Sequence, residues 1–220
     1  MKTSGSDAVF DYRALRLFVG LVALGLPEIV AFVSSTPLSS ISASYHTEAR
    51  DFFVGSLFVI GALLWAYNGR KATGNIRWDK IIGKVGSLAA FCAAIFPTSC
   101  DGCGANLKST IHYVAAVILF STVAYFCWAF RNSAKANLTQ DKKAVRRVVI
   151  YSVCIVAILV SMLGAGVAQL AMSVATRNAL SITFYAELAA MLAFGVAWTA
   201  AGKILPPLVD EEERLKLSLK

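Results

Sequence analysis

The sequence predicts an all-α, polytopic membrane bundle of six transmembrane helices with both termini cytoplasmic. Three observations carry that expectation. Of 220 residues, 57% are hydrophobic and 15% charged, with a mean hydropathy of +0.65, which leaves too little polar surface for a soluble domain of this size. The apolar residues fall into six runs, 14–33, 52–68, 81–97, 109–130, 147–172 and 181–205, against the roughly 20 residues needed to cross about 30 Å of hydrocarbon. Lysine and arginine gather in every second loop.

Lipid offers no partner to an unpaired backbone group, so each run must close its own hydrogen bonds as a helix. The even apolar fill excludes the alternating pattern of a membrane barrel. There is no internal repeat or low-complexity segment, and residues 1–220 read as one integral membrane domain.

The first run follows a tail with Asp7, Asp11, Arg13 and Arg16. It lacks a small-residue cleavage pattern and is long for a signal segment, so it is expected to persist as a span. Pro27 inside it frees a carbonyl and predicts a kink, and Glu28 follows directly. Ser34-Ser35-Thr36-Pro37 reads as a cap with proline at the first helical position, predicting a short interfacial helix over 37–44. The second and third runs are short and are expected to extend into their flanking loops. The third ends at Phe96-Pro97-Thr98, and the fourth opens with His112-Tyr113. The fifth carries Ala157, Ser161 and Ala165, a row of small residues that lets helices approach. The sixth carries Tyr185 and Glu187 near its start, stops at Pro206-Pro207 and leads to the acidic run 210–213. Trp65, Tyr67, Trp78, Tyr113, Trp128 and Tyr151 fall near helix ends and predict an interfacial aromatic belt.

Orientation follows from the basic residues. The N-terminal tail, the loops after the second and fourth runs and the C-terminal tail hold nearly all of them, whereas the other three loops hold Arg50, Lys108 and Arg177, one each. Positive loops stay inside, so the termini are expected in the cytoplasm of a cell membrane and the other loops outside. The net charge of +8 then matches anionic lipid and calls for no nucleic-acid partner.

This topology collects Glu28, His46, Glu48, Arg50, Asp51, Asp101, His112, Arg177 and Glu187 at the outer side. Ionisable groups within lipid are costly and mark a site or an internal partner. Two histidines and several carboxylates can hold a divalent metal whose bound water attacks an ester or amide. His46, His112 and Glu28 are the candidate metal ligands, and His46, Asp51, His112 and Glu187 the candidate catalytic groups. The same groups can instead satisfy one another as ion pairs and hydrogen bonds. If the approach to the second run is helical, Ser42 and His46 share a face, as do His46 and Arg50. The histidines can alternatively ligate haem. Cys100-x-x-Cys103 can be a redox dithiol, half of a zinc site with His46 and His112, or a disulfide; the oxidising outer side favours the disulfide. Cys92, Cys127 and Cys154 lie within spans as small apolar residues.

Ser42-x-x-Tyr45-His46, Arg50-Asp51-x-Phe53-Val54-Gly55, Tyr67-x-Gly69, Asp79, Phe96-Pro97-Thr98 and His112-x-x-Ala115 resemble a bacterial multi-span membrane family catalogued as domain of unknown function 998. That family is similar to the six-helix group of fibroblast-growth-factor-receptor-activating-gene and autophagy-modulator proteins. The resemblance covers the first four spans and implies a bundle of six or seven helices without an assigned activity. A more distant similarity is to the alkaline ceramidase and adiponectin receptor superfamily of membrane metal hydrolases. Ser42 and His46 match its Ser-x-x-x-His pair, and Asp51 or Asp101 its acid. Its late His-x-x-x-His has no counterpart, so His112 and Glu187 would have to replace those ligands.

Two functions are therefore expected: a lipid-binding, sensing or assembly subunit, with a protein partner or a second copy of itself, and alternatively a metal-dependent lipid hydrolase in the outer leaflet. A transporter is disfavoured, because no run carries charge through its full depth.

Overall fold

Every one of the six apolar runs is helical in the computed structural model, which describes residues 12–67, 78–99, 104, 106–138 and 143–209. The elements are α1 (Tyr12–Val33), a 3₁₀ turn (Ser42–His46), α2 (Arg50–Ala66), α3 (Trp78–Ile95), α4 (Leu107–Ala136), α5 (Ala144–Ala171), the short α6 (Val174–Ala179) and α7 (Ile182–Ala201). There is no strand among the described residues. Four helices, α1, α4, α5 and α7, are long and apolar enough to cross a membrane. The other two fall short for separate reasons. α2 has 17 residues, about 26 Å at 1.5 Å each. α3 has Asp79, Lys80 and Lys84 within its 18 residues.

Local signals set several boundaries. Asn106 and Ser109 form a reciprocal capping box at the start of α4, each backbone N–H donating to the other's side chain at 3.0 Å. Ser173 accepts from the Thr176 N–H to start α6. α1 runs through Pro27 without interruption. The interfacial helix expected over 37–44 is displaced. Residues 37 to 41 are non-helical, and the turn is a 3₁₀ helix over Ser42–His46.

Neighbours in sequence pack as neighbours in space, α1 on α2, α2 on α3, α3 on α4, α4 on α5 and α5 on α7, and α7 returns to α1. The six helices thus close a ring around one continuous core. Trp198, fully buried, sits at its centre against Tyr67, Phe126, Phe130 and Phe194, with ring centroids 5.5 to 5.7 Å away. Tyr67 and Tyr151 therefore leave the expected aromatic belt and are buried, at 0% and 3% exposure, while Trp65, Trp78, Tyr113 and Trp128 stay exposed. Aromatic residues near a helix end are drawn inward when a neighbouring helix presents a polar group for the hydroxyl; Arg16 does so for Tyr67.

Closure of the ring depends on two glycines. A Cβ on Gly20 would lie 2.7 Å from the Thr199 backbone nitrogen and 2.9 Å from the Gly195 carbonyl; one on Gly195 would lie 2.9 Å from the Gly20 carbonyl. α1 and α7 meet backbone to backbone, as small residues permit in membranes. Gly164 on α5 has nothing within 4 Å of such a position. Gly195→Ala is expected to destabilise the protein by about 1–3 kcal/mol through overpacking. Gly164→Ala should leave stability unchanged or raise it. Unfolding midpoints in detergent compare the two, and equal effects would contradict the close approach.

Candidate functional site

The histidine end of the bundle is organised around the C-terminus of α3. The last carbonyls of a helix have no partner within it, and Pro97 brings no N–H to the following turn. Side chains from neighbouring elements supply the missing donors. His112 on α4, 1% exposed, donates from Nδ1 to the Phe96 carbonyl at 2.8 Å. His46 at the end of the 3₁₀ turn donates from Nε2 to the Thr98 carbonyl at 3.0 Å. Tyr45 donates its hydroxyl to the Ile95 carbonyl at 3.3 Å and accepts from Arg50 at 3.2 Å. Carbonyls only accept, so these contacts define which ring nitrogen of each histidine carries hydrogen. Ser99 and Tyr113 join by a 2.7 Å hydroxyl contact.

Glu187 anchors the other side of the same loop. Its Oε2 accepts from the Ser42 N–H at 3.1 Å and its Oε1 from the Ser42 hydroxyl at 3.0 Å. A carboxylate from α7 thus holds the start of the 3₁₀ turn. The pitch of that turn also separates Ser42 from His46. At three residues per turn, positions i and i+3 eclipse and i+4 does not. Ser42 consequently meets Glu187, while His46 meets Thr98.

The structure therefore brings His46 and His112 to one end and to one loop, but distributes the acids. Glu187 faces Ser42. Glu28 is exposed on α1, and Asp51 is exposed in the first turn of α2, where a negative charge suits the helix dipole. A histidine that donates one nitrogen to a carbonyl keeps the other for a metal, so the decisive test is a third ligand. Among the described residues no group of three or more His, Cys, Asp or Glu could hold a metal ion. Cys100, Asp101 and Cys103 lie outside the described residues. Cys92, Cys127 and Cys154 are free thiols, the last two buried.

Glu48 lies beside this loop, outside the spans. Its own backbone N–H, the Ser35 hydroxyl at 2.9 Å and the Ser35 N–H hold its carboxyl below the usual range.

The opposite end was not legible as a site from sequence. Arg16 on α1 donates to the Ala201 carbonyl at 3.3 Å and to the Tyr67 hydroxyl at 3.1 Å. Its guanidinium lies 5.4 Å from the Tyr67 ring centre and 5.2 Å from that of Phe130. Arg147 at the start of α5, 5% exposed, donates to the Leu208 carbonyl at 2.7 Å. Lys143 and Arg146 bind the carbonyls of Pro206, Pro207 and Val209. Both arginines read as ordinary loop charges. The available signal was the position of Arg16 and Arg147 at the very start of the apolar runs 14–33 and 147–172.

Helices of this length and apolarity are those of an integral membrane protein. Compared with known proteins, no family model, curated protein or solved structure matches the chain.

His112→Ala is expected to cost about 2–4 kcal/mol, combining a buried cavity with an orphaned Phe96 carbonyl. Exposed His46→Ala should cost about 1 kcal/mol or less. Denaturation of both variants in one detergent checks the ranking. The lowered Glu48 value means its contribution to stability is present above the ordinary carboxylate range near pH 4 and is lost as pH falls through the lowered value. Ser35→Ala should bring the Glu48 carboxyl back toward the ordinary range, read from the side-chain carbon shift of labelled glutamate against pH.

Proposed function

We propose that the chain is a six-span membrane protein without catalytic activity of its own, which binds membrane lipid and serves as a sensing or assembly subunit. Its termini lie in the cytoplasm and its histidine end at the outer leaflet. One observation carries this reading: the groups capable of chemistry are engaged in holding backbone. His112 and His46 hold the Phe96 and Thr98 carbonyls that follow α3, and Glu187 holds Ser42 at the start of the 3₁₀ turn. Catalytic groups converge on a place for a reacting atom, whereas the two histidines are engaged with carbonyls of the Phe96–Thr98 loop and Glu187 with Ser42.

The distribution of charge supports the orientation. Among the described residues, Arg16, Lys84, Arg131, Lys135, Arg147 and Lys203 are among many cations at one end, whereas Arg50, Lys108 and Arg177 are at the other. The surface of α5 supports contact with lipid or another helix. Val153, Val156, Val160, Leu163 and Val167 are 60% to 69% exposed, on the least buried of the four candidate spans. The small-residue row Ala157, Ser161 and Ala165 lies half-buried beside this face. The resemblance to the family of unknown function 998 agrees with a bundle of this kind. A metal-dependent hydrolase would need further ligands from residues 100–103.

Purified full-length protein tests the reading. It is expected to contain no metal at one equivalent per chain, to turn over no lipid, and to retain phospholipid through purification. Cysteines placed at Lys203 and Arg177, in a background without the native thiols, should label from opposite sides of the membrane. One bound metal per chain, together with lipid hydrolysis lost in His46→Ala, would replace this function with the hydrolase.

A further inference from the structure

The outward walls of the ring differ in height. Lys, Arg, Trp and Tyr side chains at the two ends of a span mark where hydrocarbon gives way to headgroups. On α2 both marks are a cation on an aromatic ring. At the histidine end the Arg50 guanidinium lies 4.7 Å from the Tyr45 ring centre and donates to its hydroxyl. At the opposite end the Lys84 ammonium, reaching across from α3, lies 4.0 Å from the Trp65 ring centre and donates to the Trp65 carbonyl. Arg50 and Trp65 are both exposed. They are fifteen residues apart, about 23 Å of helix.

The adjoining helix α1 repeats the measure. Arg16 is joined to the same end of α2 through the Tyr67 hydroxyl. It precedes the exposed Glu28 by twelve residues, about 18 Å. On the other side of the ring the marks stand further apart. Exposed Arg146 on α5 is followed by no exposed polar side chain until Gln169, twenty-three residues on. Lys108 and Arg131, the first and last charged residues of α4's apolar stretch, have the same separation, about 35 Å.

A hydrocarbon layer of about 30 Å fits between the marks of α4 and α5. It overshoots those of α2 by about 7 Å and submerges Glu28, where a carboxylate is costly. A bilayer meets a short apolar wall by thinning beside it.

We propose that the wall formed by α1, α2 and α3 takes a hydrocarbon layer about 23 Å thick, so that the protein thins the bilayer on that side and is stabilised by short-chain lipid. The lipid is selected by chain length and not by headgroup. Thickness thereby becomes the property that the lipid-binding function proposed above discriminates, and the wall exists only if α2 and α3 cross the membrane as proposed there.

The test uses the full chain in phosphatidylcholine vesicles with monounsaturated chains of fourteen, eighteen or twenty-two carbons. The melting temperature should be highest with fourteen carbons and lower by about 3 °C or more with twenty-two. Glu28→Leu, which lengthens the apolar wall at an exposed position, should move the optimum to eighteen carbons. Gln169→Leu, on α5, should not move it. A second reading uses single cysteines in a background without the native thiols, in eighteen-carbon vesicles. Glu28→Cys should react with a water-soluble maleimide. Leu163→Cys, six residues inside Gln169 as Glu28 is six inside Ser34, should stay protected.

An optimum at eighteen carbons or longer, or no dependence on chain length, overturns the short wall and leaves lipid binding standing. So does equal protection of the two cysteines, or an equal shift of the optimum by Gln169→Leu. Asp51→Cys and Lys80→Cys check the crossing itself. Labelling of both from one side removes the six-span reading and this wall with it, whereas labelling from opposite sides keeps that reading whatever the chain-length result.

Discussion

The backbone contact between α1 and α7 is the constraint from which the rest of the arrangement follows. Gly20 and Gly195 allow the first and last long helices to meet without side chains between them. That contact turns a row of sequential hairpins into a ring. It also gives the core its centre, because Trp198 lies one residue before Thr199 in the crowded contact and faces inward onto Tyr67, Phe126, Phe130 and Phe194. The bond from Arg16 to the Ala201 carbonyl spans the same seam. A bulkier residue at either glycine would push apart the two helices that this bond joins.

The two ends of the ring handle exposed helix termini in different ways. At the histidine end, the orphaned carbonyls after α3 are met by His112, His46 and Tyr45, and the free N–H of Ser42 by Glu187. Histidine, tyrosine and glutamate side chains there act on backbone, with Arg177 on the Met172 carbonyl at 2.9 Å. At the other end the same task falls mostly to cations. Arg16, Arg146 and Arg147 take carbonyls of Ala201, Pro207 and Leu208, and Lys84 takes that of Trp65. Long cationic side chains reach carbonyls from the surface while their stems cover apolar walls. They thereby bring concentrated positive charge to one end of an otherwise apolar body.

Polar residues clustered on one side of a membrane sequence therefore supported two readings, chemistry and capping. His46 and His112 were correctly expected at a common end, and their shared attachment to the Phe96–Ser99 loop shows why. Ser42 and His46 looked like a functional pair only on the assumption of an α-helical pitch. The 3₁₀ turn sends one to α7 and the other to the end of α3. Arg16 and Arg147 drew no interest, since a basic residue near the end of an apolar run is ordinary in membrane sequences.

What the residue order determined by itself was the number, extent and all-helical character of the long elements. Those follow from the one-dimensional requirement that apolar backbone satisfy its own hydrogen bonds. The six expected runs and the six long helices differ by only a few residues at most ends. Which of the polar residues meet, and for what purpose, was decided in three dimensions. Glu187 and Ser42 are 145 residues apart, and Arg16 and Ala201 are 185 apart. Nothing in local periodicity encodes such pairs. They arise only when two glycines let the ends of the chain close on each other.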